Sequence, residues 1–372
     1  MKQNRALSMR GGLAAMTALI VAASGATVRA ADRSFIGPLN ANTTLSTTVP
    51  PNGDVNPYGI TLVPRTTGKL VEGHILISNF NDGANLQGTG TTIVEISPSG
   101  NLRQFARIDA NKVNCPGGVG LTTALAALDS GFVIVGSLPT TDGTSATAEA
   151  GCLIVLSSNG DVVETFTAPY INGPWDMTVA DGGQFAALFF TNVLNGTVAA
   201  GGNVVNGGTV VRLILETANG QKPRVIDHTV IGSGFPERTD AAALVIGPTG
   251  VAFDDETGTL FVADSLENRI AAIPFALFRR DSAGRGLTVF RGGALNDPLG
   301  LALTPNHHLI AANGDDGYIV EVDPFSGRQV AKQLADDSGG PPPGGGALFG
   351  LIAVNEGVYY VDDATNTLNL LH

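Results

Sequence analysis

The sequence predicts an all-β protein, a six-bladed β-propeller whose last blade is closed by an N-terminal strand. Three observations support this prediction: a composition suited to short strands and tight turns, six repeats of one strand pattern, and an N-terminal strand outside those repeats. The 372 residues are 43% hydrophobic and 15% charged, with 49 Gly and 20 Pro. This composition excludes a coiled coil, and its apolar content excludes a disordered chain.

The first thirty residues have the pattern of a signal peptide. Lys2, Arg5 and Arg10 precede an uncharged apolar run at 11–26, and the small residue Ala30 suits a cleavage site. A membrane anchor is the alternative, but this run is shorter than the ~20 residues that a spanning helix needs. The sequence therefore predicts a signal peptide at 1–30 and a single domain at 31–372. It also predicts export to the periplasm or medium, with no membrane span after cleavage.

Cleavage leaves an acidic protein. Without the four basic residues of the signal peptide, 17 Lys and Arg oppose 33 Asp and Glu, which gives a net charge of −16. Repulsion from phosphate groups argues against nucleic acid as a partner and disfavours anionic membrane surfaces. Cations, neutral small molecules and basic proteins remain as partners.

The cysteine content is low and fits an exported protein. Cys115 and Cys152 are the two cysteines of the sequence. In an oxidising compartment they are expected to form one disulfide, and two free buried thiols are the alternative.

A similar segment recurs six times, and most copies consist of Pro or Gly, a variable residue, Gly, and then an apolar strand. The copies begin at Asn56, Gly117, Gly173, Gly247, Asp297 and Leu348. Pro suits the first residue of a strand because it lacks an N–H, and Gly permits close backbone approach. A second apolar run follows each copy, then a third strand and usually a fourth.

Four strands repeated about every 50 to 75 residues are typical of a propeller blade. The last repeat runs out at His372 after three strands, and a strand-like segment beginning at Thr43 has no blade of its own. We expect this segment to supply the missing outer strand, so that the ring closes and only short sheet edges remain exposed. A β-solenoid or a pair of β-sandwiches is the alternative architecture.

The fourth repeat resembles an NHL repeat. The matching residues are Pro248, Gly250, Val251, Ala252, Phe253, Asp254, Gly258, Val262, Ala263, Asp264, Asn268, Arg269 and Ile270. The motif is clearest over 247–330, and the other repeats keep the strand pattern alone. The resemblance implies a propeller related to the NHL, gluconolactonase-like and streptogramin-lyase-like families, which include enzymes and binding modules. Fold alone does not decide between these functions.

A polar residue ends each predicted second strand. These residues, here called the polar ring, are Asn79, Ser137, Asn192, Asp264, Asn313 and Asp362. Each side chain either caps the following turn or supplies an oxygen to a cation such as Ca²⁺. In gluconolactonase-like propellers, carboxylates and Asn side chains hold a divalent cation at the channel. This chain lacks the glutamate that holds the metal in the first blade of that family, so the resemblance itself assigns no ligand. Within the polar ring, the candidate metal ligands are Asp264, Asn313 and Asp362.

The longest predicted loops lie on the same face as the polar ring. They are 80–90, 138–151, 193–208, 232–246 and 336–347, whereas the insertion 275–286 falls on the opposite face. Binding residues concentrate on loops held by a rigid scaffold. Further candidates on this face are Asn56, Tyr58, Trp175, Asp176 and Asp297, although Trp175 also suits packing between blades.

Catalytic motifs are sparse. The sequence has no HExxH zinc motif, no GxSxG nucleophile elbow and no phosphate loop, and its five His are scattered. It therefore predicts an exported module that binds a ligand or a protein through the loop-rich face. The alternative is a metal-dependent hydrolase or lyase of gluconolactonase-like type. There a divalent cation would polarise the carbonyl of a small lactone or ester.

Overall fold

Six antiparallel sheets surround a central channel, which confirms the predicted all-β, six-bladed propeller. The computed structural model describes residues 33–241 and 243–372, and the predicted signal peptide at 1–30 lies outside them. Residues 34–372 form one compact unit. Within the described residues, no helix has the length and hydrophobicity that a membrane crossing requires.

The strands follow one another from the inside to the outside of each blade. The N-terminal strand is β1 (Asn42–Thr47). The first blade contains β2 (Val55–Leu62), β3 (Ile75–Asn81), β4 (Thr92–Ile96) and β5 (Leu102–Arg107). The second contains β6 (Leu121–Ala127), β7 (Val133–Ser137), β8 (Cys152–Leu156) and β9 (Val162–Phe166). The third contains β10 (Pro174–Asp181), β11 (Phe185–Asn192), β12 (Val205–Glu216), β13 (Arg224–Asp240) and β14 (Leu244–Ile246).

The remaining blades keep the same order. The fourth contains β15 (Pro248–Asp254), β16 (Thr259–Asp264), β17 (Arg269–Ile273) and β18 (Leu287–Arg291). The fifth contains β19 (Pro298–Leu303), β20 (Leu309–Asn313), β21 (Tyr318–Asp323) and β22 (Arg328–Leu334). The sixth contains β23 (Leu348–Val354), β24 (Gly357–Asp362) and β25 (Thr367–Leu371). Helix α1 spans Thr197–Ala200, and short 3₁₀ turns lie at Ala110–Lys112, Ser145–Thr147, Ala218–Gly220 and Ser265–Glu267.

The polar ring has one register in all six blades. Each of its residues pairs with the first or an early residue of the inner strand, namely Pro57, Leu121, Pro174, Pro248, Pro298 and Leu348. The register shifts directly after each of these pairs, as a β-bulge does. The polar ring therefore lies on the face where the inner strands begin, which we call the ring face.

The recurring glycine of the inner strand is explained by crowding around the channel. A Cβ atom on Gly300 would lie 2.1 Å from the Phe349 carbonyl oxygen, and one on Gly350 would lie 2.4 Å from the Tyr58 carbonyl oxygen. Gly59 and Gly250 occupy the same level in their blades, where a Cβ atom would lie 2.8 Å and 2.5 Å from a carbonyl oxygen of the next inner strand. Neighbouring inner strands can approach this closely only because no side chain intervenes.

The N-terminal segment contacts two blades. Strand β1 pairs antiparallel with β25, from Asn42 opposite Leu371 to Thr47 opposite Thr367. Upstream of β1, the buried carboxylate of Glu321 in the fifth blade accepts hydrogen bonds from the backbone N–H groups of Phe35 (2.8 Å) and Ile36 (2.9 Å). The segment is thus attached to the fifth and sixth blades.

Cys115 and Cys152 form the predicted disulfide, with their Cα atoms 5.3 Å apart. The bond joins the loop before β6 to the first residue of β8 in the second blade. It closes a loop of the chain between residues 37 positions apart.

Removal of the N-terminal strand tests its contribution to stability. A chain that begins at Pro50 lacks β1 and leaves the edge of β25 and its apolar side chains unpaired. We expect a lower melting temperature and aggregation, because an open strand edge templates association. A chain that begins at Ser34 is the control, measured by thermal unfolding and light scattering. Equal melting temperatures would show that the segment is dispensable.

Loss of the disulfide tests the stability of the second blade. The double variant Cys115→Ser, Cys152→Ser should lose about 3 to 4 kcal/mol of unfolding free energy, because loop closure restricts the unfolded chain. Denaturant unfolding of both proteins measures the difference. An unchanged midpoint would mean that the cross-link does not constrain the unfolded state.

Candidate functional site

Apolar side chains close the channel axis at the ring face. They come from the position after the first paired residue of the inner strands: Tyr58, Trp175, Leu299 and Phe349, all buried. Tyr58 stacks on Phe349 with ring centroids 3.8 Å apart and lies 6.5 Å from the Trp175 ring. Because these residues belong to the first, third and sixth blades, their contact spans the axis. We call this cluster the apolar plug.

The connection from the third to the fourth blade covers the plug. The sequence predicted a loop at 232–246, but β13 continues to Asp240 and β14 pairs back onto it. Leu244, Val245 and Ile246 are buried in the same apolar cluster as the plug. The indole Nε1–H of Trp175 donates a hydrogen bond to the Val245 carbonyl oxygen (3.1 Å). Trp175 is therefore fixed inside the closure of the channel.

Three polar ring side chains accept hydrogen bonds from backbone N–H groups of their own blade. The Asn192 carboxamide oxygen accepts from the N–H groups of Asn172 (3.0 Å) and Gly173 (2.7 Å). Asn313 accepts from the N–H of Asn296 (3.1 Å), and the Ser137 hydroxyl accepts from that of Gly120 (3.0 Å). These hydrogen bonds fix the backbone just before the inner strand of the same blade.

The other polar ring residues are engaged as well. Asn79 donates to the Thr48 carbonyl oxygen (3.1 Å), and Asp362 accepts from the N–H of Thr365 (3.1 Å). The buried Asp264 carboxylate accepts from Arg269 (2.8 Å) and Arg285 (3.2 Å). The aspartate and arginine of the NHL-like motif thus form a buried ion pair within the fourth blade.

The residues at the axis do not fit a divalent cation. Such ions require several oxygen ligands, often carboxylates, whereas the plug presents aromatic and aliphatic side chains. Across 33–241 and 243–372, no group of three or more Asp, Glu, His or Cys side chains is placed to hold a metal ion. Among the candidate ligands, Asp264 is already paired with two guanidinium groups.

A cavity of about 460 Å³ lies beside the plug, off the axis, on the ring face. Its floor includes Ile246, Leu299 and Phe349. Its charged lining residues are Arg238, Asp240, Asp297, Asp315 and Asp363, which come from the third to the sixth blades and their connections. We call this cavity the ring-face pocket. With all groups ionised, its lining carries four negative charges and one positive charge.

Asp297 has the most distinctive environment in the ring-face pocket. Its backbone has a φ of +52°, and its N–H donates to the Asn268 carboxamide oxygen (2.7 Å). Its carboxylate Oδ1 is buried and accepts no hydrogen bond from the described residues. Burial, reinforced by the negative charges of Asp315 and Asp240, raises the pKa of Asp297 to about 7.

The pKa values of two other carboxyl groups in the pocket are raised as well. Burial raises the pKa of Asp363 to about 7, and the adjacent Asp362 adds to the effect. The pKa of Asp315 is also raised, first by burial and then by Asp240. Arg238 lies 2.9 Å from an Asp240 carboxylate oxygen. Burial and mutual repulsion thus make a positively charged partner favourable in this pocket.

Of the acidic residues that line this pocket, the sequence predicted one, Asp297, as a binding candidate. Asn56, Tyr58, Trp175 and the polar ring are buried structural residues near the ring face. Asp176 lies elsewhere, in the channel beyond the plug. The sequence did not predict Arg238, Asp240, Asp315 and Asp363. A usable signal was present, because Asp315 lies two positions after Asn313, Asp363 directly follows Asp362, and each belongs to a pair of adjacent aspartates.

Comparison of this structure with solved structures supports the propeller class. A gluconolactonase from Xanthomonas campestris is 12% identical over 90% of this chain and 90% of its own, with a TM-score of 0.54. The PQQ-bound aldose sugar dehydrogenase from Streptomyces coelicolor is 15% identical over 89% and 98%, with a TM-score of 0.52. Virginiamycin B lyase from Staphylococcus aureus is 13% identical over 88% and 98%, with a TM-score of 0.49. At these identities the likeness shows the fold alone.

Sequence comparisons add no family. No protein-family model matches the chain, and no curated protein matches it significantly. The NHL resemblance therefore stays a prediction.

The raised pKa values give a testable dependence of stability on pH. Because the folded-state pKa of Asp297 lies above the usual value, the native state binds its proton more tightly, and stability falls as pH rises from about 4 to about 7. Asp297→Asn should therefore raise the melting temperature at about pH 8, and by less at about pH 5. The exposed Asp161→Asn is the control. A pH-independent effect of Asp297→Asn would contradict the assigned environment.

Proposed function

We propose that this protein is an exported β-propeller that binds a small organic cation in the ring-face pocket. The observation that carries the proposal is the lining of that pocket. Four carboxylates and one guanidinium surround a cavity of about 460 Å³ with an apolar floor. Ligand pockets of this size commonly combine an apolar surface with a few polar groups that fix the ligand.

The chemistry of the pocket favours an organic cation over a metal ion. Organic cations carry apolar groups, which suit a floor that includes Ile246, Leu299 and the ring of Phe349. Their positive charge compensates the half-buried Asp297 and Asp363, whose raised pKa values show that ionisation is costly there. A divalent ion would leave the floor unused.

Export is part of the same proposal. It is supported by the signal-peptide pattern at 1–30 and by the disulfide between Cys115 and Cys152. The partner on the ring face is then a small molecule of the surroundings. The names of the similar structures describe a lactonase, a sugar dehydrogenase and a lyase. These activities are not part of the proposal, because the axial residues of this chain do not fit a divalent cation.

Choline is the probe for this proposal, because its positive charge does not change with pH. Calorimetry should show saturable binding of choline and none of its neutral isostere 3,3-dimethylbutanol. Asp297→Asn and Asp363→Asn should each weaken choline binding at least about tenfold, which corresponds to about 1.4 kcal/mol. Binding should also weaken as pH falls through about 7, because protons compete with the cation for both carboxyl groups.

The surface variant Asp161→Asn should leave choline binding unchanged. Equal binding of choline and its neutral isostere would show that the positive charge does not contribute to binding, which would contradict the proposal. Displacement of choline by equimolar Ca²⁺, together with divalent-dependent hydrolysis of a small lactone, would favour the metal-dependent hydrolase instead.

A further inference from the structure

The propeller channel contains a second cavity, separate from the ring-face pocket. It has a volume of about 320 Å³ and is lined by the inner strands of all six blades. Its lining extends along those strands to Val179, Leu303 and Ile352, and shares no residue with the ring-face pocket. Because the apolar plug closes the axis at the ring face, this cavity faces the opposite end of the channel. We call it the channel cavity.

In two blades, the inner strand has no glycine at the level where neighbouring inner strands approach most closely. Four blades have Gly59, Gly250, Gly300 and Gly350 there, whereas the second blade has Thr123 and the third has Asp176. The Asp176 carboxylate bridges to the next blade, where its Oδ2 accepts from the N–H of Val251 (2.9 Å). Among the described residues that line the channel cavity, Asp176 is the one ionisable group.

Thr123 supplies a second polar group to the cavity. The residue is 3% exposed, and its hydroxyl makes no hydrogen bond with the described residues. A buried hydroxyl without a partner is costly, and so is a half-buried carboxylate without a counter-charge. Thr123 and Asp176 lie on the neighbouring inner strands β6 and β10 and line the same cavity. One ligand that carries a positive charge and donates several hydrogen bonds would satisfy both.

We propose that the channel cavity binds a small primary ammonium ion, held by the Asp176 carboxylate and the Thr123 hydroxyl, with its alkyl chain against the aliphatic channel wall. An ammonium group has three N–H donors, and two of them match these two oxygens. The side chains of Val179, Leu303 and Ile352 provide an apolar wall toward the opposite face. A quaternary ammonium ion lacks N–H donors and therefore suits this site poorly.

The environment of Asp176 supports this assignment. Burial raises its pKa to about 7, against the hydrogen bonds from Val251 and Met177 that stabilise its charge. The carboxyl group is thus partly protonated at neutral pH in the absence of a cation. Binding of an ammonium ion should expel that proton.

The probe is n-butylammonium chloride, with n-butanol as the neutral analogue. The titrations use the Asp297→Asn, Asp363→Asn double variant, because the ring-face pocket of the parent also accepts small organic cations. Calorimetry of this variant at about pH 7 in buffers of different ionisation enthalpy should show binding of n-butylammonium with release of a fraction of a proton. Asp176→Asn should weaken binding at least ~10-fold and abolish the proton release. Thr123→Val should weaken it a few-fold without loss of thermal stability, because the replaced hydroxyl has no partner.

Variants of the ring-face pocket keep the two proposals separable. The Asp297→Asn, Asp363→Asn double variant should bind choline weakly and keep n-butylammonium binding with its proton release, whereas Asp176→Asn in the otherwise unchanged protein should leave choline binding intact. If Asp176→Asn fails to fold, Thr123→Val and the proton release of the double variant decide. Binding that persists in Thr123→Val and releases no proton, equal binding of n-butanol, or no detectable binding of n-butylammonium would each overturn the proposal.

Discussion

The close approach of the inner strands is the constraint on which the rest of this structure depends. At one level of the channel, four glycines lie so near the neighbouring strand that a Cβ atom has no room. This crowding explains the recurring Pro-x-Gly pattern, since the glycine must be small and the proline begins the strand. The β-bulge at this level recurs in all six blades, including the two that have Thr123 and Asp176 in place of the glycine. The variable residue of the pattern is thereby brought to the axis.

The variable residue of each repeat therefore determines whether the channel mouth is polar or apolar. In this chain it is Tyr58, Trp175, Leu299 and Phe349 in four blades, and these side chains pack together under β14. Because the axis is apolar at the ring face, it offers no ligands to a hydrated ion. The accessible polar groups lie to one side of the axis. The ring-face pocket lies there because β13, the loop before β19 and the turns after β20 and β24 meet beside the plug. The charged groups of this pocket are supplied by those connections rather than by the polar ring.

The same closure divides the channel into two environments. On the ring face, several carboxylates share one pocket, and burial together with neighbouring carboxylates raises the pKa of Asp297, Asp315 and Asp363. Beyond the plug, a single carboxylate replaces a glycine among apolar walls, and burial alone accounts for most of its raised pKa. In both linings the negative charge of half-buried carboxylates exceeds the positive charge, and each proposed cationic ligand would compensate this excess. The two sites nevertheless differ in the number of hydrogen-bond acceptors that they offer.

The sequence by itself determined the strand pattern, the number of blades, the pairing of the two cysteines and the common position of the polar ring. These features follow from local rules, because strand alternation, turn residues and a repeated glycine are all encoded within one blade. The tertiary structure alone decided that Tyr58 and Trp175 are plug residues, that Asp176 lies in the channel, and that Asp240, Asp297, Asp315 and Asp363 share one pocket. Those neighbours come from different blades and connections. Ring closure therefore decides which of them meet, and no pattern within a single repeat specifies the residues across the axis.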